Sequence, residues 1–182
     1  NSDALFHTDG VNAAGKMPID LKNTQIDMMS ISGHKFYAPK GIGALYIRNG
    51  VALPSSLIGG GQENGRRAGT EAAHQIAGFG AAAALMTDLT SLGQIRVLRD
   101  RLESGILASI PNASVNGGGN RLPNVTNISF ENTNGEMIMH ALDEIGVCVS
   151  TGSACSDAHR KAPGVLAAMN VPYSRAMGAI RF

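Results

Sequence analysis

Residues 25–35 read Gln-Ile-Asp-Met-Met-Ser-Ile-Ser-Gly-His-Lys. Four apolar side chains (Ile26, Met28, Met29 and Ile31) run into a glycine and then two basic residues. That is the profile of a strand ending abruptly in a turn, and it predicts a strand over residues 25–32. Residues 4–8 read as an earlier, buried strand ending at Asp9, and residues 43–48 as a later one after the Pro39/Gly41 turn signal. Short strands joined by polar segments predict α/β architecture, in which ligands gather at strand ends.

Working outward, a glycine-rich loop at residues 59–61 continues through Gly65 and Gly69. Thr70 reads as the N-cap of an Ala-rich helix over residues 71–86. Leu92, Ile95, Leu98, Leu102 and Ile106 recur at spacings of three and four, predicting an amphipathic helix stopped by Pro111 and Asn112. Beyond it, Val115, residues 125–130 and residues 147–150 read as strands. Residues 135–144 read as a helix with Asn134 as cap. The change of pattern predicts a boundary near residues 87–91, dividing the chain into 1–88 and 89–182, the second part an α+β module.

Composition narrows the function classes. The chain has 182 residues, of which 43% are hydrophobic and 16% charged, with a net charge of +1. So small a charge gives no reason to expect nucleic acid or an anionic membrane surface as partner. No apolar run approaches the roughly 20 residues a membrane helix needs. Cys148 and Cys155, seven apart, form neither a redox nor a zinc spacing, so no metal site is expected. Cys148 reads as a strand residue and Cys155 as a loop thiol, in a reducing, cytoplasmic setting. The first residue is Asn and the last three, Ile-Arg-Phe, read as a strand cut in mid-run, so the chain is expected to be an excerpt.

Five places carry chemistry. Lys35, at a strand end beside Ser32 and His34, could bond an aldehyde cofactor as a Schiff base, the Ser and His helping to hold a phosphate. A surface lysine after a strand is the plainer reading of the same tetrapeptide. Asp9, at another strand end, could pair with a pyridinium nitrogen, or be a turn residue. Residues 59–70 combine flexible backbone with Arg66 and Arg67, an anion-binding composition that also suits a solvated basic loop. Cys155 lies in Thr-Gly-Ser-Ala-Cys-Ser, small and mobile enough for a nucleophilic thiol. Arg181 in a terminal apolar strand wants a carboxylate, from a substrate or from a structural partner.

Taken in order, Phe6-His-Thr-Asp9, Ser32-Gly-His-Lys35, Gly41-Ile-Gly-Ala-Leu-Tyr46, Gly60-Gly-Gln-Glu63 with Gly65-Arg-Arg-Ala-Gly-Thr70, Thr151-Gly-Ser-Ala-Cys155 and Ile180-Arg-Phe182 resemble the NifS/IscS-type cysteine desulfurases of the class V aminotransferase superfamily. The resemblance covers essentially the whole chain, and six motifs in family order are far more specific than any one. It implies a type I pyridoxal-phosphate (PLP) enzyme: the later part of the large cofactor domain, then a truncated small domain. Lys35 would carry the cofactor and move the proton at the substrate α-carbon. Asp9 would pair with the ring nitrogen, and Ser32 and His34 would hold the phosphate. Thr70 would reach the phosphate of the neighbouring subunit in a homodimer, and Arg181 would bind the carboxylate of L-cysteine. Cys155 would take the sulfur as a persulfide and pass it to a sulfur acceptor or an iron–sulfur scaffold. Asn12 stands where the family usually has Gln, one methylene longer, near the cofactor's ring oxygen. The family's first half, with its ring-stacking His, a phosphate-binding Thr and an Asn near the ring oxygen, is not in this sequence. A selenocysteine lyase, a related class V transaminase, and a truncated non-catalytic fragment are the alternative readings.

Overall fold

The computed structural model describes residues 4–152 and 163–182. The chain divides into two compact units, Asn1–Thr90 and Ser91–Phe182, each with its own small sheet.

In the first unit β1 (His7–Asp9), β2 (Met28–Ser32) and β3 (Gly43–Ile47) form a sheet in that order. β1 runs parallel to β2, and β3 antiparallel to it. The first strand is shorter than residues 4–8 suggested, and it is not buried: Leu5 and Phe6 are exposed and β1 is at most half-covered. Its apolar residues read as core, yet among the described residues only β2 lies beside them in the sheet. The second strand starts at Met28 rather than residue 25 because the connection before it is fixed otherwise. Arg48 Nη2 donates to the carbonyls of Leu21 (3.0 Å), Thr24 (2.8 Å) and Ile26 (2.8 Å), closing residues 21–26 into a clamped loop.

Helix α1 (Ala73–Leu85) packs on the turn after β2, with Phe79 and Ala82 against Phe36 and Ala38. The Phe36 and Phe79 rings meet edge to face at 5.1 Å, the favoured aromatic geometry. Thr70 does not cap this helix. Gly69 at φ +107° turns the chain, and the Ala73 N–H bonds the Glu71 carbonyl, so helical bonding begins later, with Ala72 at the cap.

In the second unit β4 (Ala113–Val115), β5 (Asn127–Phe130) and β6 (Ala179–Arg181) form an antiparallel sheet in that order. Ile128 and Ile180 are register partners, and neither has any solvent exposure. Ile106 of α2 (Ser91–Ser109) and Ile138 and Met139 of α3 (Gly135–Glu144) pack against them. α3 begins where the sequence placed it because the Asn134 side chain accepts the Glu136 N–H at 2.9 Å. The apolar stripe of the amphipathic helix α2 is largely exposed: Leu98 is 62% and Leu102 41% accessible.

Residues 147–149 form no strand; only Ser150 makes a bridge, with Arg181. Cys148 is therefore an exposed coil thiol rather than a strand residue. α4 (Gly164–Ala168) and α5 (Tyr173–Ala176) lead into β6, with Leu166, Ala176 and Ala179 forming a satellite core. Among the described residues no helix is long and apolar enough to cross a membrane.

Candidate active site

β2 ends where its residues leave no room for a side chain. The chain bends there into a 3₁₀ turn, Gly33–Phe36, packed so closely that a Cβ on Gly33 would stand 2.9 Å from Phe79 Cδ2 and 3.0 Å from Ala38 Cβ and Ile42 Cγ2. The turn buries Gly33 and Phe36, which sends His34 and Lys35 outward. Tyr37, at φ 72°, closes it by donating its N–H to the Gly33 carbonyl. A buried phenylalanine thus sets the direction of the neighbouring lysine. Ser32, the last residue of β2, lies 2.8 Å from His34 Nδ1 through its hydroxyl, so hydroxyl and imidazole form one hydrogen-bonded pair.

Asp9 closes β1, directly opposite Ser30 in the parallel register. Its Oδ1 accepts the Val11 N–H at 2.8 Å, and the Gly10 N–H donates to the Ser30 carbonyl at 2.8 Å. These bonds fix the chain as it leaves the strand. The Gly10 carbonyl then accepts from Ala13 and Ala14, winding residues 10–14 into a turn on which Asn12 is exposed. Asp9 and Lys35 accordingly follow the carboxyl ends of two adjacent parallel strands, the place where open α/β sheets present ligand groups.

Sequence reasoning passed over Lys16. Ala14 packs against the Phe36 cluster, and Lys16 follows two residues later, half-buried. Burial, and then the like charge of Lys35, hold its ammonium below the ordinary lysine range. His7 was passed over as well: its Nε2 lies 2.9 Å from Ser30 Oγ. The alternation His7-x-Asp9 on β1 beside Ser30-x-Ser32 on β2 was the available signal, since such residues share a sheet face.

The glycine-rich loop borders a cavity of about 690 Å³ in the first unit, lined by Arg66, Arg67 and Thr70 together with Ile42, Leu53 and Phe79. Gln62 Oε1 accepts the Gly69 N–H at 3.1 Å and braces the loop. Lys35 and Asp9 do not line this cavity, so Thr70 belongs to a separate feature of the unit. Arg181 sits on β6, its backbone paired with Ser150 in both directions. Cys155 lies outside the described residues.

A family model for aminotransferase class V matches residues 1–177. The chain belongs to that family. It is 52% identical over 182 residues to a cysteine desulfurase of Gluconacetobacter diazotrophicus, covering 98% of this chain and 46% of the relative. It is 50% identical over 181 residues to the cysteine desulfurase NifS of Azotobacter vinelandii, covering 98% and 45%. A solved NifS-like protein superposes with a TM-score of 0.86 at 34% identity, over 100% of this chain and 47% of that one. The fold is therefore that of the NifS-like, type I PLP-dependent proteins, and the chain spans about half the length of the curated relatives it matches. Members of this class V family depend on pyridoxal phosphate. The donor set suits that group: an outward amine, a strand-end carboxylate, and a hydroxyl–imidazole pair able to meet a phosphate.

Proposed function

We propose that this protein is a PLP-dependent cysteine desulfurase, converting L-cysteine to L-alanine and carrying the sulfur away as an enzyme persulfide. The supporting observation is that Asp9, Ser32, His34 and Lys35 lie at or just past the carboxyl ends of two neighbouring parallel strands, in a chain about 50% identical throughout to named cysteine desulfurases.

Bound pyridoxal phosphate supplies an electron sink for the charge that develops on the substrate carbon. Lys35 holds the cofactor through its amine and moves the proton at the substrate α-carbon. The Asp9 carboxylate would hold a proton on the ring nitrogen, and the Val11 N–H secures it from one side. The Ser32 hydroxyl and His34, already bonded to each other, would hold the phosphate. Asn12, exposed on the turn after Asp9, would take the place of the family's Gln near the ring oxygen or the lysine–cofactor link, with a shorter reach. Arg181 offers a planar fork to the substrate carboxylate.

The thiolate of Cys155 attacks the substrate sulfur. A new S–S bond forms as the C–S bond breaks, the electron pair stays with the substrate β-carbon, and a proton completes alanine. A thiolate suits this transfer because sulfur is a soft nucleophile that leaves as readily as it attacks.

The same reading includes a homodimer in which Thr70 reaches the phosphate of the partner subunit, and delivery of sulfur to an acceptor or iron–sulfur scaffold protein. It also places the protein in the cytoplasm, in keeping with two cysteines being too few for a disulfide framework.

Cys155→Ala tests the assignment. It abolishes sulfide release from L-cysteine while pyridoxal phosphate still binds. Desulfuration at the parent rate would remove Cys155 from its role. Turnover on cysteine, selenocysteine and alanine separates this activity from that of a selenocysteine lyase or a transaminase.

A further inference from the structure

One face of the β1–β2 pair carries two residues that the chemistry above does not use. Side chains alternate along a strand, so His7 and Asp9 lie on the same face of β1. Ser30 is the register partner of Asp9 and shares that face. The register partner of His7 is Met28, yet its Nε2 reaches Ser30 Oγ at 2.9 Å. The imidazole therefore leans diagonally along the ladder toward the residue opposite Asp9. With neighbouring strands about 4.8 Å apart, this sets the ring alongside the Asp9 side chain.

Asp9 itself is secured from one direction. The Val11 N–H, at 2.8 Å to Oδ1, is its side chain's one hydrogen bond among the described residues. Nothing in that bond stops the carboxylate from folding back over the strand. A carboxylate folded back along this face would run toward the His7–Ser30 pair, which lies one step behind it in the ladder. Ser32 and His34 form a second pair of the same kind at 2.8 Å, at the carboxyl end of β2. Asp9 thus lies between two serine–histidine pairs, one assigned to the phosphate and one unassigned.

We propose that His7, tethered by Ser30, is a positioning residue for Asp9, walling the carboxylate from behind so that it stays aimed past the end of β1. The direction of the His7–Ser30 proton is immaterial to this role; the tether is what matters. The proposal rests on the reading of Asp9 as partner of the ring nitrogen, but its first test needs no cofactor.

Amide exchange at Val11, followed by NMR on the 15N-labelled chain, reports how well the Asp9 carboxylate is held. Ser30→Ala and His7→Ala each speed it by about three- to tenfold, because the carboxylate leaves Val11 more often. The double variant is no faster than the singles, since the two residues act as one. Ser30→Thr keeps the hydroxyl, and His7→Gln puts an amide nitrogen near the Nε2 position; both restore slow exchange. The Gly10 N–H, bonded to the Ser30 carbonyl in the same ladder, keeps its rate throughout and excludes general loosening. Unchanged Val11 exchange in either alanine variant overturns the proposal. So does a gain that Ser30→Thr fails to reverse, or equal acceleration at Gly10.

Titration with pyridoxal phosphate separates this from the reading of Asp9. If Asp9→Ala binds the cofactor as tightly as the parent while Val11 behaves as expected, the role of Asp9 is wrong and the positioning stands. If Asp9→Ala weakens binding and His7→Ala does not, the positioning is wrong.

Discussion

Ile180→Ala removes three carbons from a side chain with no solvent exposure, packed against Ile128 across the β5–β6 ladder. At about 0.8 kcal/mol for each buried carbon the transfer term is roughly 2.4 kcal/mol. The hole left between Ile128, Ile106 and Phe182 adds to it, because a two-sided core of this kind closes only partly. The total is about 3–4 kcal/mol, within the usual range for such truncations. Fluorescence is a poor probe, since the chain has no Trp and Tyr173 is the one Tyr of the second unit. Hydrogen exchange read by mass spectrometry over residues 126–130 is better suited. If those amides exchange through opening of the unit, protection falls by roughly a hundredfold or more. Ile180→Val costs only about 1 kcal/mol. Because Arg181 is the next residue, Ile180→Ala also raises KM for cysteine in the active enzyme. A fall in protection of less than about fivefold, equivalent to about 1 kcal/mol, would show that Ile180 does not anchor β6 and refute the packing argument.

Two other perturbations have distinct signatures. Glu103 accepts from Arg121 at 3.0 Å through both carboxylate oxygens and from Thr126 Oγ1 at 2.7 Å, and these bonds hold its carboxyl below the ordinary glutamate range. With the two side chains only 16% and 26% exposed, Glu103→Gln costs about 2 kcal/mol at neutral pH. The unfolded chain takes up the proton first as pH falls, so the contribution is full above the ordinary carboxyl value and is lost through the lower folded value. Urea titrations from pH 7 downward show the parent converging on the variant; parallel curves would contradict it. Arg181→Lys keeps the charge but loses the fork, and raises KM for cysteine by about tenfold with kcat little changed, as steady-state kinetics will show. An unchanged KM would remove Arg181 from carboxylate binding.

Local signals were legible where the chain supplies its own answer. Asn134 followed by the apolar spacing of α3 marks that helix, because the cap and the face are both written within ten residues. The strand ending at Ser32 was legible for a similar reason: its apolar run stops at a glycine followed by two basic residues. Thr70 misled because a good capping residue sits two places too early, behind a glycine in the left-handed region. Cys148 misled because an apolar run reads as a strand whether or not a neighbour is there to pair with it. The His7–Ser30 bond depends on the parallel register of strands more than twenty residues apart, and a one-residue slip would have placed the two on opposite faces. Lys16 gains its meaning from a turn folded back on Phe36, a contact no local pattern encodes.

The absorption spectrum of the purified chain with added pyridoxal phosphate, beside that of Lys35→Ala, tests the central claim most directly. The account predicts a visible band distinct from the free cofactor that disappears in Lys35→Ala. No band, or one that persists in Lys35→Ala, would contradict the claim that the turn after β2 presents the lysine to the cofactor.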